Sequence, residues 1–235
     1  IIPGGMEMMD KLAISATEEF VHAGYPSNVE TLLIIELDGP AVEVSDLITR
    51  VKNIADELES NYIRISESEI EREKFWAGRK AAFPAIGRIT PDYYCVDGTI
   101  PRSRLPEVLT RINEMSKKYK LRVANVFHAG DGNLHPLIMY DANKSGELQR
   151  AEEFGREILT LCVDVGGVLT GEHGVGVEKR DLMEKVFTEE DLKQQQRLKC
   201  AFDPSGLLNP GKVFPTLHRC AELGRVHVHH GQIPF

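Results

Sequence analysis

Two histidines on either side of an Asp-Gly turn are the first residues whose types and spacing suggest chemistry. His128 and His135 lie in residues 127–136, where Asp131 and Gly132 are flanked by apolar runs. Such a flanked Asp-Gly pair is a strong hairpin signal, because both turn residues must accept φ > 0. A two-residue turn at Asp131 and Gly132 places His128 directly opposite His135. Opposed residues share a face with Cβ atoms about 5 Å apart, so both imidazoles could bind one metal ion.

A glycine-rich turn at residues 171–176 offers a carboxylate, Glu172, and a third imidazole, His173. Glycines let the backbone approach a ligand closely. Two histidines and one carboxylate with open positions are a common catalytic arrangement for a divalent ion, which would lower the pKa of a bound hydroxyl. The ordinary alternative is two surface histidines on a hairpin. The Glu172-His173 pair, in a loop too rich in glycine for packing alone, favours the metal site.

Two other segments, one with Arg79 and one with Lys212, can each be interpreted in two ways. Arg79 lies near Trp76, the only tryptophan of the chain, and is either a surface arginine with a buried stem or a bidentate clamp for an organic carboxylate. The residues Asn209-Pro-Gly-Lys212 are typical of a loop, although Lys212 could also reach a phosphate or a flavin ring. The histidines of the tail, His218, His227, His229 and His230, are interpreted as part of an exposed extension.

The elements that must position these residues alternate between strands and helices. Apolar runs and alternation predict strands at residues 32–37, 62–65, 93–101, 121–128 and 134–140. Helical spacing of apolar residues predicts helices at 43–59, 66–82, 103–119, 146–165 and 192–202. A capping box of Ser66 and Glu69 would open the second helix. The alternation predicts an α+β fold in which helices pack against an antiparallel sheet.

Composition limits the classes of protein that remain. The chain has 235 residues, 42% of them apolar, and a net charge of −8. These values exclude wholesale disorder and argue against a nucleic-acid or anionic-membrane binder, which needs a basic patch. No apolar run approaches the roughly 18 residues of a membrane span. Four widely spaced cysteines favour a reducing, cytoplasmic compartment. The opening Ile1-Ile-Pro-Gly-Gly5 is interpreted as a cut inside a longer chain.

Three ordered segments resemble a known family. They are His128-Ala-Gly-Asp-Gly-Asn-Leu-His135, Gly171-Glu-His-Gly-Val-Gly176 followed by Lys179-Arg180, and Phe202-Asp-Pro-Ser-Gly-Leu-Leu-Asn-Pro-Gly-Lys212. Together they resemble the C-terminal domain of FAD-linked oxidases of the vanillyl-alcohol oxidase superfamily. The similarity is to the 2-hydroxyacid branch, which includes D-lactate dehydrogenases, D-2-hydroxyglutarate dehydrogenases and the glycolate oxidase FAD subunit. Residues 3–10 and 92–101 look most similar to the last of these.

This resemblance implies a ferredoxin-like antiparallel sheet with packed helices and a C-terminal helical and loop segment. Residues 1–215 would form the substrate, or cap, domain, and residues 216–235 a C-terminal tail. The N-terminal domain that binds most of the FAD would be missing from this chain. Other implied partners are a small 2-hydroxy acid and further glycolate oxidase subunits, including an iron–sulfur subunit, through which any peripheral membrane association would arise.

The resemblance also assigns roles to single residues. His128, His135 and Glu172 match the ligands of a divalent metal such as Zn, Mn or Fe in metal-dependent members. His173 matches the residue near the flavin reaction centre, and Arg79 the partner of the substrate carboxylate. Asn209 and Lys212 lie in the segment that returns toward FAD.

The implied reaction is metal-assisted oxidation of a 2-hydroxy acid, with hydride passing from the α-carbon to FAD. Dicarboxylate-oxidising members carry a lysine near the position of Cys95, so the present sequence favours a monocarboxylate such as glycolate or D-lactate. The isolated fragment is expected to be inactive. Two other functions remain open at this point: a stand-alone metal-binding regulatory module, and a metal-dependent hydrolase.

Overall fold

The computed structural model describes residues 1–215. In chain order the elements are β1 (Gly5–Asp10), α1 (Lys11–Val21), β2 (Thr31–Glu36), α2 (Ala41–Glu57), α3 (Glu69–Ile89), β3 (Asp92–Cys95), β4 (Gly98–Thr99), α4 (Leu105–Tyr119), β5 (Val123–His128), β6 (Asn133–Leu134), β7 (Pro136–Tyr140), α5 (Glu147–Asp164) and α6 (Glu189–Phe202). Short 3-10 helices cover Arg102–Arg104 and Arg180–Lys185. Within the described range, no helix combines the length and apolar character that crossing a bilayer requires.

The strands form one antiparallel sheet. Strand β1 pairs with β2 on one side and β5 on the other, and β5 pairs in turn with β6 and β7. The outermost positions are taken by β2, next to β1, by β4, next to β6, and by β3, next to β7. The predicted α+β class, with helices packed on an antiparallel sheet, is confirmed.

Successive residues of β5 point into two separate cores on the two faces of this sheet. Phe127 packs in a cluster with Phe154 of α5, whereas Val126 packs in a cluster with Ile86 of α3. Side chains two residues apart on a strand share a face. His128 therefore lies on the face of Val126, which α1 and α3 cover.

One predicted strand is absent, one is interrupted, one helix cap is misplaced, and one strand was not predicted. Residues 62–65 are irregular, because their alternating pattern has no partner strand in the described part of the chain. Helix α3 is not capped by Ser66: it begins at Glu69, and the Ser68 hydroxyl accepts from the N–H of Glu71 at 3.3 Å. The predicted strand at 93–101 is interrupted after Cys95. Strand β1, at residues 5–10, is the additional one.

Candidate metal and substrate site

The two hairpin histidines lie on one face of the sheet, but not in the predicted pairing. His128 pairs with Asn133, so the loop contains residues 129–132 and its closing N–H, from Gly132, donates to the His128 carbonyl at 3.0 Å. His135 thus lies two residues beyond the partner of His128, and direct opposition is wrong. A displacement by two residues preserves the face. The ring centroids are 5.1 Å apart and nearly perpendicular, at 86°.

Glu172 brings its carboxylate to both of these rings. Its Oε1 atom lies 2.9 Å from Nε2 of His135 and 3.5 Å from Nε2 of His128. One oxygen therefore faces two imidazole nitrogens, one from the end of β5 and one from the residue between β6 and β7. The Glu172 side chain is half exposed, and the His135 side chain is buried. The three donor atoms lie together at the C-terminal end of β5, an interior strand of the sheet.

A buried carboxylate holds the glycine-rich turn in place. Asp97 accepts hydrogen bonds from the backbone N–H groups of Gly171, Glu172 and His173 at 3.0, 3.2 and 3.0 Å. It also accepts from the Thr170 hydroxyl at 2.7 Å and from the ammonium group of Lys179 at 2.8 Å. Burial would raise the pKa of Asp97, but the bonds from Lys179, Thr170 and the His173 N–H outweigh it and lower that pKa well below its usual range.

The third imidazole, His173, stacks on His135. The ring centroids are 5.3 Å apart with an interplanar angle of 19°. Burial, followed by the nearby His128, lowers the pKa of His135, so this ring is neutral near pH 7 and has a lone pair free for a metal. The buried Nδ1 of His135 has no hydrogen-bond partner within residues 1–215. The His173 side chain is half exposed, so part of its ring is accessible to solvent.

Arg79 is buried, which excludes the interpretation of a surface arginine. It is only 7% exposed and donates through Nε and Nη2 to Oε2 of Glu7, at 2.9 and 2.8 Å. Glu7 lies on β1 directly opposite His128. Its other oxygen, Oε1, lies 2.8 Å from Nδ1 of His128. The cation is therefore joined to the histidine group through one carboxylate.

The donor set of His128, His135 and Glu172 fits a divalent ion. Metal–ligand distances of about 2.0–2.2 Å imply separations between neighbouring ligand atoms of about 2.8–3.6 Å for right-angle to tetrahedral geometry. The observed separations of 2.9 and 3.5 Å match that range. Asp97 also offers an oxygen within 4.8 Å of donor atoms of His135, Glu172 and His173. The five donors it already accepts fill its lone pairs, so His128 is the better ligand.

The residues assigned to the cofactor segment lie in a loop after α6, near the end of the described range. Asn209 and Lys212 are exposed, and no hydrogen bond or ion pair in residues 1–215 joins either of them to the histidines. Their loop is tied instead to the rest of the fold by Arg180, which donates to the Gly211 carbonyl at 2.8 Å. The tail histidines, His218, His227, His229 and His230, lie outside the described residues.

Sequence reasoning missed three residues that organise the site, namely Glu7, Asp97 and Lys179. A signal was present for both acids, because each interrupts an apolar stretch, Met6–Met9 in one case and Val96–Ile100 in the other. Ionisable groups within strands require partners when they are buried. The partners themselves are distant in sequence, so the pattern could mark the acids without identifying their function.

Comparison with known proteins identifies the family. Residues 1–213 match the model for "FAD linked oxidases, C-terminal domain". The chain belongs to this family. It is 58% identical over all 235 residues to the glycolate oxidase subunit GlcD of Escherichia coli K12, of which it covers 47%. It is 30% identical over 213 residues to the probable mitochondrial D-lactate dehydrogenase of Danio rerio, covering 89% of this chain and 42% of that protein. The predicted family membership is confirmed.

A solved structure confirms the fold of this FAD-linked oxidase domain. The 4-ethylphenol oxidase of Gulosibacter chungangensis superposes with a TM-score of 0.63 at 15% identity, over 90% of this chain and 48% of that one. Identity at this level supports the fold alone. The chain spans about half the length of the curated relatives it matches.

Proposed function

We propose that this chain is the substrate-binding cap domain of a flavin-dependent 2-hydroxyacid oxidoreductase that oxidises glycolate or D-lactate. The observation that carries the proposal is the convergence of two imidazole Nε2 atoms, from His128 and His135, on one oxygen of Glu172 beside the buried cation Arg79. The family supports FAD as the cofactor. The names of the two curated relatives support the substrate class.

Each group in the site has a task in this reaction. His128, His135 and Glu172 would hold a divalent ion, Zn, Mn or Fe, which when bound lowers the pKa of the substrate hydroxyl. Arg79 would bind the substrate carboxylate. His173, half exposed and stacked on a neutral ring, would accept the hydroxyl proton. Bound FAD supplies the acceptor for the hydride that leaves the α-carbon.

A monocarboxylate is the substrate that this site favours. Burial, followed by the nearby charge of Asp97, raises the pKa of Cys95 to about 12. The thiol is therefore neutral at pH 7 rather than a thiolate, and neither form carries the positive charge that a lysine at this position would offer to a second carboxylate. Glycolate and D-lactate each carry one carboxylate.

The arrangement of the whole protein is also a proposal. Residues 1–215 would form the cap domain beside an N-terminal FAD-binding domain, with residues 216–235 as a tail. The exposed Asn209 and Lys212 would face the flavin. An iron–sulfur subunit is the expected further partner, and the cytoplasm the expected compartment, with membrane association only through partner subunits.

Histidine variants test the metal role directly. Elemental analysis of the purified wild-type chain should find a near-stoichiometric divalent metal, and His128→Ala and His135→Ala should lose it. His22→Asn is the matched control, because His22 is exposed and has a left-handed backbone that asparagine tolerates. In the flavin-containing protein, the two alanine variants should also lose anaerobic flavin reduction by glycolate or D-lactate. Full reduction by a metal-free variant would refute metal assistance.

The same assay separates the alternative functions. A protein that binds metal and flavin but is reduced by no 2-hydroxy acid would contradict the proposed reaction while leaving the metal site intact. A metal-dependent hydrolase or a regulatory module would then be the better description.

A further inference from the structure

We propose that Glu7 is a positioning residue that couples the metal ligand His128 to the carboxylate-binding Arg79. The inference rests on the proposed function and adds a residue that acts through two others. Each oxygen of Glu7 has its own partner: Oε1 lies 2.8 Å from Nδ1 of His128, and Oε2 lies 2.9 and 2.8 Å from Nε and Nη2 of Arg79. The Glu7 side chain is 12% exposed, so water competes little for either oxygen.

The first consequence concerns the tautomer of His128. A guanidinium has only donors, so the Glu7 carboxylate accepts from Arg79 at Oε2, and at its other oxygen it faces Nδ1 of His128 as an acceptor at 2.8 Å. Nδ1 of His128 must therefore carry the proton that it donates to Glu7. The lone pair is then on Nε2, the nitrogen that faces Glu172 at 3.5 Å. A carboxylate behind a histidine ligand fixes the ring orientation and raises its basicity.

The second consequence concerns the charge and the free edge of Arg79. Glu7 occupies the edge formed by Nε and Nη2, while Nη1 makes no hydrogen bond within the described part of the chain. A substrate carboxylate that reaches Arg79 would thus meet a guanidinium whose charge is partly balanced by Glu7 and whose Nη1 has no protein partner among residues 1–215 to displace. Glu7 moderates anion binding at Arg79 at the same time as it strengthens metal binding at His128.

The pairing of β1 with β5 fixes the position of Glu7 relative to His128. Glu7 and His128 are paired residues of the antiparallel ladder between β1 and β5, so their side chains share a face. Arg79 reaches the same face from α3, where its guanidinium is buried. No loop movement is needed to bring the three groups together.

The decisive variant is Glu7→Gln. An amide has a single acceptor oxygen, so it cannot serve His128 and Arg79 together, and it carries no charge. Zinc binding to the purified chain, measured by titration calorimetry, should weaken about 10–100-fold. Glycolate binding to the metal-free chain should instead become tighter, because Arg79 loses its counter-ion. The ring of Trp76, the only tryptophan, lies against Gly5 and provides a fluorescence reporter near Glu7.

Two further variants complete the design. Glu36→Gln is the matched control, because Glu36 on β2 also pairs with an arginine, Arg72, at 3.0 Å, but outside the histidine group. It should leave both affinities unchanged. Glu7→Asp keeps the charge but shortens the reach. It should lose zinc affinity without the gain in glycolate affinity, and it serves as the test should Glu7→Gln fail to fold.

The opposite signs of the two effects separate positioning from simple structural support. Loss of both affinities in Glu7→Gln would mean that Glu7 only supports the fold, and it would overturn the inference. Unchanged zinc affinity in that variant would overturn the inference while leaving the proposed function intact. A wild-type chain that binds no divalent metal would instead refute the metal part of the proposed function and this inference with it.

Discussion

The substitution Asp97→Asn tests whether the buried carboxylate holds the glycine-rich turn. Asp97 is fully buried and Lys179 is only 6% exposed. Removing one partner of a buried ion pair costs about 3–5 kcal/mol, because the other charge remains buried without compensation. Asparagine keeps one acceptor oxygen but places an NH₂ group where the second oxygen accepted hydrogen bonds. The bonds from the backbone N–H groups of residues 171–173, now 3.0–3.2 Å long, should therefore weaken or be lost in part. We expect a loss of unfolding free energy of about 3–5 kcal/mol.

Urea unfolding followed by circular dichroism measures this loss, and a double variant checks its origin. Lys179→Met added to Asp97→Asn removes the buried ammonium that has lost its partner. Because neutral replacements of buried ion pairs are often tolerated, the double variant should recover about 2 kcal/mol or more of the lost unfolding free energy. A loss below about 1 kcal/mol in the single variant would refute the reasoning. So would a double variant whose loss equals the sum of the two single ones, because additivity indicates that the groups do not interact.

Three further predictions concern acid stability, the turn and substrate choice. The pKa of Asp97 in the folded chain lies below its usual 3.8, so the unfolded chain takes up this proton first as the pH falls. The contribution of Asp97 to the unfolding free energy should therefore be complete above about pH 5 and lost as the pH falls toward the folded pKa. Asp97→Asn should flatten the measured pH dependence of the unfolding free energy. A Cβ at Gly171 would lie 2.1 Å from Oδ1 of Asn133, whereas Gly176 has open space; Gly171→Ala should therefore destabilise the fold by about 1–3 kcal/mol and weaken zinc binding, with Gly176→Ala unchanged. Cys95→Lys should raise kcat/KM for a 2-hydroxydicarboxylate relative to glycolate, and an unchanged ratio would contradict the proposed substrate preference.

Local sequence patterns were sufficient to predict most helices and to place both hairpin histidines on one face of the sheet. The shared face of His128 and His135 depends only on the parity of the register, and the predicted and observed registers differ by an even number of residues. The length of the loop was not available from local sequence. Gly132 passes so close to the Ile100 carbonyl that a Cβ would lie 2.2 Å from its oxygen, so the segment that follows β4 helps to set the turn.

The wrong strand predictions arise because the stability of a strand depends on partners that are distant in sequence. Residues 62–65 alternate but find no partner, whereas β1 contains methionines with weak strand preference and pairs on both sides with β2 and β5. Strand preference depends mainly on packing against neighbours. Strand β5 begins at Val123, more than a hundred residues after β1. A local stretch of sequence around β1 therefore does not include the strand that stabilises it.

The two missed acids show why the histidines alone do not make the site. His128 and His135 belong to one hairpin. Glu7 connects that hairpin to α3 through Arg79, 72 residues away in sequence, and Asp97 holds the turn that carries Glu172, 75 residues away. An isolated hairpin could rotate both rings freely, and a glycine-rich turn could adopt many conformations. Preorganisation of the donor atoms therefore depends on acids that touch neither substrate nor metal. It follows that variants of Glu7 and Asp97 should differ: one alters ligand affinity in a stable fold, and the other lowers the stability of the turn that carries Glu172.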